Sequence, residues 1–136
     1  MQKAWRSNAA QESISKPILL ALITAVVVGV VAPLVLPHAT HPSMIYHILL
    51  HMAGLTIAAF LSVVSFLSYS RSPTTRMLLM AAAFVTLAVV ELLYLLQAGG
   101  IYVGQLIIPL ANIELSHVVL LIMVSLFGLG VLKVNK

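Results

Sequence analysis

Pro17-Ile-Leu-Leu-Ala-Leu-Ile-Thr-Ala-Val-Val-Val-Gly-Val-Val-Ala-Pro-Leu-Val-Leu36 runs for twenty residues without one charged side chain. As a helix it would be about 30 Å long, the thickness of a bilayer's hydrocarbon core. In that medium every backbone N–H and C=O must be bonded internally, which a helix achieves. Pro17 suits a first helical turn, where its missing N–H is not needed. A cleavable signal sequence has a shorter apolar core and a small-residue cleavage site. The stretch therefore reads as a first membrane span, 17–36, entered from a polar segment, 1–16.

The remainder of the chain repeats the theme. Its 136 residues are 62% hydrophobic and 7% charged, with a mean hydropathy of +1.14. A soluble domain would carry about 25% charged residues. Three further apolar runs follow, at about 44–69, 77–97 and 105–132. Pro37-His-Ala-Thr-His-Pro42, Ser70-Arg-Ser-Pro-Thr-Thr-Arg76 and Ala98-Gly-Gly-Ile-Tyr-Val-Gly104 separate them, and 133–136 forms a short polar tail. The expected fold is an all-α, four-helix transmembrane bundle with antiparallel neighbours and short loops. The expected location is the cell membrane, with multiple passes.

Charge placement gives an orientation. All seven Lys and Arg lie in the N-terminal segment (Lys3, Arg6, Lys16), the middle loop (Arg71, Arg76) and the tail (Lys133, Lys136). With four spans these segments share one side, and the positive-inside rule puts both termini in the cytoplasm. The net charge of +4 thus reflects contact with anionic headgroups and is no nucleic-acid footprint. Absence of cysteine excludes disulfides, thiolate zinc sites and iron–sulfur clusters.

Five ionisable residues fall within the apolar runs: His47, His51, Glu91, Glu114 and His117. Counted from the expected outer ends of the spans, they lie at depths of about 8, 14, 9, 14 and 18 Å, in one layer of the outer half. Intramembrane ionisable groups are expensive and commonly functional. His47 and His51 continue a stripe of small residues, Gly54, Ala58, Ser62 and Ser65, so they are expected to face the bundle. Glu114 and His117, three apart, would share a helix face.

Two readings of the layer compete. In the plainer one, Glu91 hydrogen-bonds to His51 or His117, and Glu114 to His47, fixing helix register at about 0.6–2 kcal/mol per contact. In the other, the five residues bind a transition metal (Cu, Zn or Fe), or two histidines hold a haem. Ferritin-like di-iron bundles need two Glu-x2-His motifs and four carboxylates, and this chain has one motif and two carboxylates. The loop histidines His38 and His41 are expected to be solvated, and Ser116 and Ser125 to bond back along their helix. No nucleophile–base constellation is present, so no catalytic residue is assigned.

Tyr46-His-Ile-Leu-Leu-His51, the Arg71 to Arg76 loop, Glu91-Leu-Leu-Tyr94, Glu114-Leu-Ser-His117 and Phe127-Gly-Leu-Gly-Val-Leu-Lys133 together resemble small four-span archaeal membrane proteins. In layout, residues 17–136 are similar to the accessory subunits that accompany archaeal ammonia monooxygenase, a copper enzyme of the membrane. The resemblance implies a non-catalytic subunit packed against other membrane subunits, with the polar layer as internal glue. A free-standing metal- or haem-binding protein, or a small transporter or proton pathway, are the alternatives.

The orientation is testable because the chain has no native thiol. A membrane-impermeant maleimide added to intact cells should label His41→Cys and leave Ser72→Cys unlabelled until the cells are permeabilised; the reverse pattern inverts the topology.

Overall fold

The computed structural model describes residues 15–39, 41–100, 107–108 and 113–132. Four helices follow in chain order: α1 (Lys16–Val35), α2 (Pro42–Arg71), α3 (Thr75–Ala98) and α4 (Leu115–Leu132). Each is long and apolar enough to cross a membrane. The protein is an all-α, four-helix bundle of the multi-pass membrane class. Most of the expected polar segment 1–16 (residues 1–14), the tail over 133–136 and the expected start of the fourth span at about 105 lie outside the described residues.

Local chemistry sets the helix ends. Pro17 and Pro42 sit in the first turns of α1 and α2, where no N–H is required. Pro33 withholds a donor late in α1, which stops two residues later at Val35 and tightens into a 3-10 turn, Leu36–His38. There His38 Nδ1–H donates to the Leu34 carbonyl at 3.0 Å. Thr74 caps α3, its hydroxyl accepting from the Met77 N–H at 3.2 Å. Beyond α3, Gly100 takes φ +77°, a left-handed conformation that only glycine adopts without strain.

The fourth span departs from expectation. Its helix begins at Leu115, and two residue pairs before it are extended: β1 (Ile107–Ile108) pairs antiparallel with β2 (Ile113–Glu114). The register sets Ile107 opposite Glu114 and Ile108 opposite Ile113. The reason lies in residue type. Ile107, Ile108 and Ile113 are β-branched and favour extended backbone. Pro109 disfavours the helical region for Ile108 and has no N–H to give a helix.

The helices neighbour one another in chain order. α2 and α3 form the central antiparallel pair, α1 packs chiefly on α2, and α4 chiefly on α3. One buried cluster joins Val27, Val31 and Val35 of α1 to Ile48, Met52 and Leu55 of α2 and to Leu95 and Ala98 of α3. All the buried α1 positions lie in its second half. Most other large apolar side chains face outward, as a lipid-facing surface requires. Hydroxyls within the spans are satisfied locally: Thr24, Thr56, Ser62, Thr86 and Ser125 each donate to the carbonyl four residues back.

α3 and α4 approach closely near the basic end of the bundle. A Cβ placed on buried Gly130 would stand 3.3 Å from Met80 Sδ and 3.5 Å from Leu79 Cβ. Phe84 and Phe127 meet edge to face one turn away, with centroids 5.0 Å apart. Gly130→Ala should be tolerated, because the methionine thioether is flexible and moves by tenths of an ångström. Gly130→Leu should lower the thermal midpoint in detergent by several degrees, since helix approach in membranes depends on small residues; an unchanged midpoint removes Gly130 from the contact.

Candidate functional site

His51 and Glu91 are built on facing helices. His51 stands ten residues into α2, and Glu91 seven residues before the end of α3. Because the helices run antiparallel, these positions fall at one level, about 10–14 Å from the shared helix ends. His51 Nδ1–H donates to Glu91 Oε2 at 2.7 Å, and the two side chains retain 16% and 19% of their exposure. A short bond to a carboxylate is charge-assisted, and the low dielectric around it strengthens it. Among the described residues, no buried side-chain nitrogen or oxygen lacks a hydrogen-bond partner.

Two neighbours complete the arrangement. Tyr94, one turn after Glu91, lays its ring over His51 with centroids 5.1 Å apart and planes 30° from parallel. Gly54 provides the space: a Cβ there would lie 2.8 Å from Glu91 Cδ and 2.9 Å from each carboxylate oxygen. The carboxylate therefore rests against the bare α2 backbone, within reach of an imidazole one turn away. Glu91, His51 and Tyr94 form a polar knot clamping α2 to α3.

The other sequence-derived candidates are placed differently. His47 touches His51 edge-on, with centroids 4.5 Å apart, but is exposed rather than turned into the bundle. The face α2 buries runs through Ile48, Met52 and Leu55. His47 and His51 both flank that line; Glu91 and Tyr94 cover His51, and His47 lies a turn nearer the helix start. Glu114 is not on a helix with His117. It ends β2, and His117 is exposed in the first turn of α4, about 3 Å along that helix instead of 18 Å deep. The Glu114 side chain lies outside the described residues. α4 packs chiefly on α3, whereas His47 and His51 belong to α2.

Of the five candidates, the structure brings together His47, His51 and Glu91. Among the described residues, no three His, Cys, Asp or Glu side chains are grouped so as to hold a metal ion. His38 and His41 are exposed at the loop, as expected. Sequence reasoning missed Tyr94 as a partner of His51, although its three-residue spacing from Glu91 put both on one face. It also took Gly54 for part of a general seam, when its particular neighbour is the Glu91 carboxylate.

Compared with known proteins, the chain matches no family model, no curated protein and no solved structure.

A double-mutant cycle isolates the clamp. Gly54→Ala should displace the Glu91 carboxylate and destabilise the protein by about 1–2 kcal/mol, the upper range for an interhelical polar contact. In a Glu91→Ala background the same change should be neutral or slightly stabilising, since alanine is the better helix former. Equal effects in both backgrounds, measured by thermal unfolding in detergent, would show that Gly54 and Glu91 are uncoupled.

Proposed function

We propose that the chain is a non-catalytic subunit of a multi-subunit membrane oxidoreductase, packed among larger subunits in the cell membrane. The observation that carries this reading is the 2.7 Å bond between His51 and Glu91. The two most deeply placed ionisable groups of the described residues are used on each other, across two helices. They fix the register of α2 against α3. Four apolar helices supply most of the described residues, and lipid and neighbouring membrane helices are the surroundings such a surface fits. The resemblance to accessory subunits of archaeal ammonia monooxygenase, a copper enzyme, implies the same role and names the kind of complex.

The second reading, an intramembrane metal or haem site, has one observation in its favour. Exposed His47 stands edge-on to His51, with centroids 4.5 Å apart, so two imidazoles are neighbours on α2. A metal there would take imidazole and carboxylate donors, which suit Zn, Cu(II) or Fe.

Mild solubilisation separates the two. On a native gel the chain should migrate with larger membrane subunits, and Glu91→Leu should weaken that association along with stability. A chain that runs alone overturns the subunit reading. Stoichiometric metal or a Soret band in the purified chain, lost in His51→Ala, would establish the second reading in its place.

A further inference from the structure

At the end of the bundle opposite His51, α1 and α2 part. Their contact is concentrated where Val27, Val31 and Val35 meet Ile48, Met52 and Leu55. Toward the start of α1 no side chain is buried. The gap is a cleft of about 280 Å³ lined by Ser15, Lys16 and Leu19 of the α1 end and Val64, Leu67, Ser68 and Arg71 of α2.

The composition of this cleft is ordered along the membrane normal. Lys16 begins α1 and Arg71 ends α2, so each helix contributes one cation to the cleft at its terminus. Leu19, Val64 and Leu67 lie one to two turns deeper and are apolar. Neither cation is ion-paired to a described residue. Glu91, the described carboxylate, is on α3 near the far end of the bundle. A cleft with two cations that no described carboxylate pairs, and with Leu19, Val64 and Leu67 further along the helices, matches a molecule with an anionic head and a hydrocarbon tail. Arg presents a fork suited to phosphate oxygens, and Lys adds a point charge.

We infer that this cleft binds one anionic phospholipid from the leaflet at the Lys16 and Arg71 end, its phosphate between the two cations and an acyl chain along Leu19, Val64 and Leu67. The site is independent of the His51–Glu91 clamp and of the subunit reading. It would fasten the loosely packed start of α1 to α2 through the lipid.

Native mass spectrometry of the purified full chain in a neutral detergent tests this with two lipids of matched acyl chains, phosphatidylglycerol and phosphatidylcholine. Two surface cations contribute about 1 kcal/mol each toward anionic lipid, so wild type should retain phosphatidylglycerol at least about tenfold more tightly. Lys16→Gln/Arg71→Gln should reduce that preference to near unity, and Arg76→Gln, a cation outside the cleft, should keep it. Millimolar inorganic phosphate should leave the bound lipid in place. The inference is overturned if wild type binds both lipids equally, if the double variant keeps the preference, or if Arg76→Gln loses it equally. Displacement by inorganic phosphate would also overturn it, by making the site one for a free anion.

Discussion

A carboxylate inside a bilayer has few acceptable positions, and Glu91 has found one. Left unpaired in hydrocarbon it would be costly, and pairing with a single imidazole satisfies part of that cost. The remainder is met by geometry. Gly54 lets the carboxylate lie against α2, His51 donates to it at 2.7 Å, and Tyr94 covers the imidazole. Each condition depends on the relative register of α2 and α3. A slip of one residue would rotate His51 by about 100° and put a Cβ where the carboxylate lies. The central pair is thus specified by polar chemistry, and the flanking helices then follow from apolar packing: α1 through the valines of its second half, α4 through Gly130 and the Phe84–Phe127 contact.

The hydroxyls show the complementary strategy. Serines and threonines along the spans return their protons to carbonyls four residues back, which removes them from interhelical bonding. Polar atoms are frequent enough in these helices to suggest many cross-links. Most of those named are self-contained, so specificity between α2 and α3 rests on a small group of side chains.

Much of the architecture was legible because hydrocarbon simplifies the problem. The run from Pro17 to Leu36 had one workable conformation, and the proline-bearing stretches 37–42 and 70–76 had to be breaks. The helix ends fell within a few residues of expectation for α1, α2 and α3. The fourth span misled because hydropathy does not distinguish an apolar helix from an apolar strand. The signals were present in Ile107, Ile108, Pro109 and Ile113, but a long apolar run outweighed them. That error carried Glu114 and His117 too deep and made the polar layer look like three helices' work. The pairing of His51 with Glu91 was one of several combinations that depth allowed. Choosing among them needed the rotation of α3 about its axis, which depends on which α3 residue faces Gly54.

α2 is longer than a bilayer core requires. At about 1.5 Å per residue its 30 residues span roughly 45 Å. A hydrocarbon core about 30 Å thick is exceeded by half again. α2 must therefore lean or project its ends into the headgroups. A thinner membrane is absorbed by further tilt of α2, the helix that carries His51, so bilayer thickness bears directly on the helix pair that the clamp holds.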